Sequence, residues 1–218
     1  MGHSRSLMRR KRLERLLVSL EDHPAPKSYL EQYAIPGSLA AKILALAAYT
    51  FNDIEGAVVY DLGCGTGRLA IGAALLGARQ VVGVDIDPVA VKVAKRNAVS
   101  LSLAEAVDLL VGDIEALTGI CDVVVQNPPF GTKRRGSDIA FLRKALSVGR
   151  VVYSLHKSVT DTYLKRFAAE QGAVVTAIFT TEIEIPRLYA FHRRKKYSVK
   201  VNLYRFESPL LDRVQESM

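Results

Sequence analysis

From Ala57 onward the chain alternates short β-branched runs with amphipathic helical stretches, and that alternation leaves few folds open. Strands are expected near 57–62, 80–85, 107–112, 121–126 and 150–155, and helices near 67–77, 88–99, 137–147 and 159–171. Such a series implies parallel strands with helices on both faces, joined by right-handed crossovers. Two longer β-rich runs, Ala173 to Ile185 and Ser198 to Phe206, flank a short connection and predict an antiparallel pair ending the sheet. The expected fold class is therefore α/β: a doubly wound, mostly parallel seven-stranded sheet with an antiparallel C-terminal strand pair. A chain of 218 residues can bury a sizeable core of this kind. We divide it into a basic N-terminal helical extension (1–28), the α/β domain (29–207) and a C-terminal tail (208–218).

The flanking segments carry charge and apolar surface. Arg5, Arg9, Arg10, Lys11, Arg12 and Arg15 interleave with Leu13, Leu16, Leu17 and Leu20, which predicts an amphipathic helix. Its arginines either face phosphates or form a solvated surface. A second helix, from about Leu39 to Thr50 with Ser38 as its cap, is apolar almost all round and must be buried against the sheet edge or a partner. The formal net charge of +8 favours an anionic partner, with nucleic acid the leading candidate. No apolar run reaches the ~18 residues of a membrane span, and the basic start lacks a signal peptide's apolar core, so a cytoplasmic protein is expected. Cys64 and Cys121 lack CxxC spacing and read as buried free thiols; no metal site is expected.

Several motifs fall at the ends of the predicted parallel strands. Asp61-Leu62-Gly63-Cys64-Gly65-Thr66-Gly67 follows the first strand and opens a helix, where glycines allow sharp turns and close approach of a ligand to the backbone. The spacing differs from the dinucleotide fingerprint, and Asp61 would repel a pyrophosphate but suits an ammonium group. Asp85 ends the second strand and is placed to accept both hydroxyls of a ribose. Asp87 reads as the cap of the helix beginning at Pro88. Asp113, after the third strand, could accept from an adenine amino group. All three strand-end carboxylates (Asp61, Asp85, Asp113) lie on one edge of the sheet, beside its switch point.

The fourth strand runs into Asn127-Pro128-Pro129-Phe130. Prolines end the strand because they donate no ladder hydrogen bond, and the residue before them is held extended. Asn127 thereby brings a side-chain carbonyl beside backbone carbonyls that have few amide hydrogens to pair with. Phe130 adds a flat apolar ring. Taken alone, the tetrapeptide is either a strand-ending turn with a core phenylalanine or a cradle for a planar group bearing an NH2.

In this order and spacing, Asp61-x-Gly-x-Gly-x-Gly67, Asp85, Gly112-Asp113 and Asn127-Pro-Pro-Phe130 resemble the class I S-adenosylmethionine-dependent methyltransferases, whose sheet is Rossmann-like. The terminal motif is similar to that of the amine-methylating branch. Over nearly the whole chain the resemblance is to the archaeal and eukaryotic small-subunit ribosomal RNA adenine-N6 methyltransferases, supported by Leu30-Glu31-Gln32-Tyr33 and Phe191-His192-Arg193-Arg194-Lys195. The resemblance implies S-adenosylmethionine as cofactor, held by Gln32, Tyr33, Asp61, Gly63, Gly65, Gly67, Asp85, Ile86, Asp113, Ile114 and Asn127. It implies catalysis by Asn127, Pro128, Pro129 and Phe130, and a small zinc-binding activator protein joined through a sheet edge. One departure matters: Ala34 and Ile35 follow Gln32-Tyr33, where the family usually has proline and threonine.

Two basic loops extend this reading to RNA. Lys133, Arg134 and Arg135 follow the motif directly; Arg187, His192, Arg193, Arg194, Lys195 and Lys196 lie in the last connection among Tyr189, Phe191 and Tyr197. Phosphate contact and base stacking would use such a mixture, while a solvated hairpin is the other reading. Guanine N2 or a glutamine amide presents the same planar NH2, so the motif by itself leaves the acceptor open, as it does a non-catalytic RNA-binding protein of the same fold. His156 reads equally as structural or functional.

Overall fold

The computed structural model describes residues 8–186 and 196–208. Strands β1 (Val58–Leu62), β2 (Gln80–Asp85), β3 (Val107–Val111), β4 (Cys121–Gln126), β5 (Gly149–Lys157), β6 (Val174–Pro186) and β7 (Lys196–Glu207) form one sheet in the order β3-β2-β1-β4-β5-β7-β6. The first five are parallel; β7 lies antiparallel to both β5 and β6. Central strands are covered on both faces, which is why Val123-Val124-Val125 is continuously apolar and continuously buried.

Helices α1 (Arg10–Val18), α2 (Gly37–Ala45), α3 (Arg68–Leu75) and α4 (Pro88–Ser100) pack on one face, and α5 (Ser137–Val148) and α6 (Asp161–Glu170) on the other. The leucine stripe of α1 points inward: Leu13 and Leu17 are fully buried while Lys11, Arg12 and Arg15 are exposed. This part of the basic extension is thus packed into the core. A Cβ at Gly37 would come within 2.7 Å of the Leu17 carbonyl, so the crossing of α1 and α2 requires a glycine there. Buried Arg68 closes the junction, donating to the carbonyls of Leu17 (3.2 Å) and Leu20 (3.2 Å) and to Asp22 (2.7 Å).

One expectation for the apolar helix changes: it begins at Gly37 after Pro36 with no side-chain cap, so Ser38 lies inside the first turn. Its α-helical part, to Ala45, runs on as a π-helical turn, Leu46–Thr50, so the helical stretch ends where expected. Leu39, Ala40, Ala41, Ile43, Leu44 and Ala45 are all buried in the protein's own core, which accounts for the apolarity without a partner.

The strand order reverses between β1 and β4, which places a crevice at their carboxyl ends. The β6–β7 hairpin overhangs the same edge. Pairing of β7 with β5 begins at Val201↔Lys157, whereas Lys196 to Lys200 pair with β6 alone.

Candidate active site

The turn after β1 is held open by Gly63, Gly65 and Gly67, with φ of 69°, 54° and 86°, a region other residues rarely adopt. Three carboxylates surround it. Asp61 is 1% exposed; its Oδ2 accepts from the Ala70 amide at 2.9 Å, and its Oδ1 has no hydrogen-bond partner among the described residues. Burial lifts this carboxyl to about 7 against the Ala70 bond, and nearby Asp85 adds to the rise. Asp85 accepts from the amides of Gly65 (2.8 Å) and Asp87 (2.9 Å), so it shapes the glycine turn as well as facing the crevice. Burial raises its pKa, partly offset by those amides. Asp113 is exposed at the crevice mouth and accepts from the Glu115 amide at 3.0 Å.

Asp87 caps α4 through the Val89 amide (3.1 Å), as the sequence predicts, but it does more. Its buried carboxylate also takes Gln32 Nε2 (2.8 Å), Lys27 Nζ (3.2 Å) and His23 Nε2 (3.1 Å). Burial would raise it, yet the bonds from Gln32, Val89 and Lys27 win and hold it down at about 2. The segment from His23 to Ile35 is thereby strapped across the crevice. Gln32 Oε1 accepts from the Lys27 amide at 2.7 Å, so this side chain braces the strap from both ends of its amide. Ile35, which stands where the family usually has threonine, turns into the core, and Ala34 is exposed.

Between strap and sheet lies a cavity of about 230 Å³ whose lining includes Gln32, Tyr33, Asp61, Gly63, Gly65, Asp85, Ile86, Asp113, Ile114, Asn127, Pro129 and Arg134. Of the residues expected to hold cofactor, only Gly67 is absent from this lining; it is the left-handed residue that opens α3. A second cavity of about 650 Å³ adjoins the first and is walled by Ile35, Pro36, Phe130, Leu155 and Ile183. Asn127 and Tyr33 line both.

Asn127 is fixed in one orientation: its Nδ2 donates to the Tyr33 carbonyl at 3.3 Å, and its buried Oδ1 has no partner among the described residues. Beneath it, Gln126 Nε2 donates to Ser154 Oγ (2.9 Å), which lies 2.7 Å from His156 Nε2. Burial pushes His156 down to about 3, so it stays neutral; it braces the ends of β4 and β5 and lines neither cavity. Pro128 is buried beside Asn127, and Lys157 Nζ lies 5.7 Å from the centroid of the Phe130 ring.

Lys133, Arg134 and Arg135 are exposed on the loop after the motif. Arg187, Tyr189, Phe191, His192, Arg193, Arg194 and Lys195 lie outside the described residues; Lys196 opens β7. Sequence reasoning missed Glu31, His23, Lys27 and Lys157. Glu31 stood within the recognised Leu-Glu-Gln-Tyr segment without a role, and the others carried no local signal, because their partners are distant in sequence.

A glycine turn without dinucleotide spacing, strand-end carboxylates at a switch point and an amide-bearing Asn-Pro-Pro-Phe turn define a class I S-adenosylmethionine-dependent methyltransferase. The residues present fit that cofactor: an unpaired buried Asp61 oxygen for an ammonium, Asp85 for a ribose, and Ile86 and Ile114 as apolar walls for a base. The model of the ribosomal protein L11 methyltransferase (PrmA) family matches residues 40–128. The rRNA N(6)-adenosine-methyltransferase Mettl5 of Drosophila melanogaster is 39% identical, over 90% of this chain and 95% of its own. The METTL5 protein of Danio rerio is 36% identical, over 91% and 99%. The crystal structure of PH1948, a candidate RNA methyltransferase of Pyrococcus horikoshii, is 41% identical with a TM-score of 0.85, over 93% of this chain and 99% of that one. The chain belongs to the METTL5 family of rRNA N6-adenosine methyltransferases.

Proposed function

We propose that this protein transfers the methyl group of S-adenosylmethionine to the exocyclic N6 amine of an adenine in RNA, with small-subunit ribosomal RNA the substrate that the resemblance implies. The observation that carries this reading is Asn127, which stands between two cavities with its nitrogen tied to Tyr33 and its oxygen free to accept. The L11 methyltransferase match ends at residue 128, so it covers the cofactor half and not Phe130 or the loops beyond.

When bound, S-adenosylmethionine supplies an electrophilic sulfonium methyl. Asn127 Oδ1 accepts one N–H of the target amine and the Pro128 carbonyl the other, drawing the nitrogen toward tetrahedral geometry and aiming its lone pair. These groups act by position and by electrostatic fit to the transition state. Phe130 holds the base by stacking, worth ~1–3 kcal/mol. A base must leave its helix to reach the second cavity, so an unpaired or flipped adenine is the substrate form. Asp61, Asp85, Asp113, Gln32, Tyr33, Ile86 and Ile114 hold the cofactor, and residues 133–135 with the 187–196 connection hold RNA. The test is incubation with labelled cofactor and ribosomal RNA: label enters RNA, and Asn127→Ala slows its entry by roughly 10²–10³ while cofactor still binds. Label entering only protein would overturn the reading.

No helix among the described residues is long and apolar enough to cross a membrane, and we place the protein in the cytoplasm. We place the small zinc-binding activator at the β3 edge, where Leu110 and Val111 are 47% and 56% exposed on a strand paired on one side only. Co-expression followed by size exclusion and a methylation assay tests this. Co-elution with raised activity is expected; separate elution with full activity of the lone chain removes the partner.

A further inference from the structure

Glu31 occupies a position that its surroundings make costly. It is left-handed (φ 52°, ψ 39°), a conformation unfavourable for a residue with a side chain, and it is only 5% exposed, unusual for a carboxylate. Its Oε1 accepts from the Lys133 amide at 2.6 Å, across 102 residues of sequence. Its Oε2 is buried and has no hydrogen-bond partner among the described residues, and Glu31 is part of the wall of the cofactor cavity. One carboxylate therefore spans two sites: the strap that lines the cofactor cavity and the backbone of the basic loop.

The strap is anchored at its far end on Asp87, whose own amide donates to Asp85, and at its near end by the bond from Asn127 Nδ2 to the Tyr33 carbonyl. A ligand filling the cavity would contact this segment and, through Glu31, act on the position of the Lys133 amide. That bond ties the strap to the loop carrying Lys133, Arg134 and Arg135. A ligand that favours this arrangement of the strap therefore also favours the arrangement of the loop bonded to it, and the reverse. The unpaired Oε2 adds a second cause, since a donor from the occupant of the cavity would satisfy an acceptor that is otherwise buried without one.

We propose that Glu31 is a positioning residue that couples cofactor binding to RNA binding, so that each ligand binds more tightly when the other is present. The inference rests on the methyltransferase reading for the identity of the two ligands. Linkage requires the two enhancements to be equal.

The test uses equilibrium binding by the full chain and needs no turnover. The affinity of S-adenosylhomocysteine is measured by calorimetry with and without a short single-stranded RNA containing one adenine, and the affinity of that RNA with and without S-adenosylhomocysteine. Wild type should show a coupling factor of ~5-fold or more, at the lower end of ordinary allosteric couplings. Glu31→Ala should bring it below about 2-fold. Glu31→Gln keeps a carbonyl for the Lys133 amide and should retain most of it. Should Glu31→Ala fail to fold, Lys133→Pro deletes the amide hydrogen from the other side and should lose the coupling equally. A coupling factor of one in wild type with both ligands bound would overturn the proposal while leaving the methyltransferase reading intact. So would Glu31→Ala that weakens both ligands with an unchanged factor, since that marks a merely structural role. Failure of the RNA to bind at all would instead count against the RNA reading itself.

Discussion

The two halves of the carboxyl edge are built differently. From β1 to β3, the groups that face the first cavity are held by the backbone: Asp61 by the Ala70 amide, Asp85 by the amides of Gly65 and Asp87, Asp113 by that of Glu115. Beyond β4, charge is carried on the exposed loop at residues 133–135, and the sequence adds a second basic run between β6 and β7, outside the described residues. A small ligand of fixed shape is matched by a rigid, desolvated edge, while a long polyanion is matched by dispersed charge whose exact placement matters less. Asn127 stands where the halves meet, rigid in its support and facing both cavities.

Removing Asn127 should break this junction with the largest effect. We expect Asn127→Ala to lower kcat by roughly 10²–10³, on the scale of losing one positioned group of an oxyanion hole, a far larger effect than the change in S-adenosylhomocysteine affinity that follows from losing the bond to Tyr33. Single-turnover assays beside calorimetry separate the two quantities. Turnover within about threefold of wild type in a folded variant would take catalysis away from Asn127.

Asp85→Ala should strike the rigid half alone. Loss of charge-assisted bonds of ~1.5–3 kcal/mol predicts a ~10- to 100-fold weaker S-adenosylhomocysteine complex. RNA affinity measured without cofactor should stay near wild type. An unchanged cofactor affinity would place the ribose acceptor elsewhere.

The same edge should respond to pH. Burial raises the Asp61 carboxyl to about 7, so the folded protein binds a proton there that the unfolded chain gives up near the ordinary carboxylate value. This group therefore favours the fold at low pH, and its contribution fades as pH rises toward 7. Cofactor binding has the opposite dependence, because an ammonium group requires the ionised carboxylate. Affinity should climb about tenfold per pH unit below about 7 and flatten above it. Asp61→Asn should be weak and flat across the range; a wild-type profile without a slope would remove Asp61 from the ammonium site.

The loop half should give the smallest effect at any fixed salt concentration. Neutralising Arg193, Arg194 and Lys195 together should reduce the slope of log K for RNA against log salt by ~0.7–0.9 for each phosphate that is no longer neutralised, with cofactor affinity untouched. Identical slopes for variant and parent would make the connection a solvated hairpin.

The difference between the halves also governs what could be read from sequence. Strand-end motifs such as Asp61 to Gly67 and Asn127 to Phe130 are legible because turn chemistry and chemistry at the site use the same local residues. The strap was not, since its order depends on Asp87 receiving Gln32, Lys27 and His23 from 55 or more residues away. Ser38 misled for a related reason: Pro36 pre-sets the backbone and tertiary packing of Gly37 against Leu17 fixes where α2 begins, so no cap is needed. The apolar helix looked unsatisfied only because α1, which covers it, read equally well as a surface helix.

Nucleoside analysis identifies the acceptor atom. Ribosomal RNA methylated by the purified protein with labelled S-adenosylmethionine would be digested to nucleosides and separated by chromatography with mass detection. Label is expected in N6-methyladenosine, lowered by roughly 10²–10³ in Asn127→Ala reactions; label in N2-methylguanosine, or none in any adenine nucleoside while transfer proceeds, would contradict adenine N6 as the acceptor.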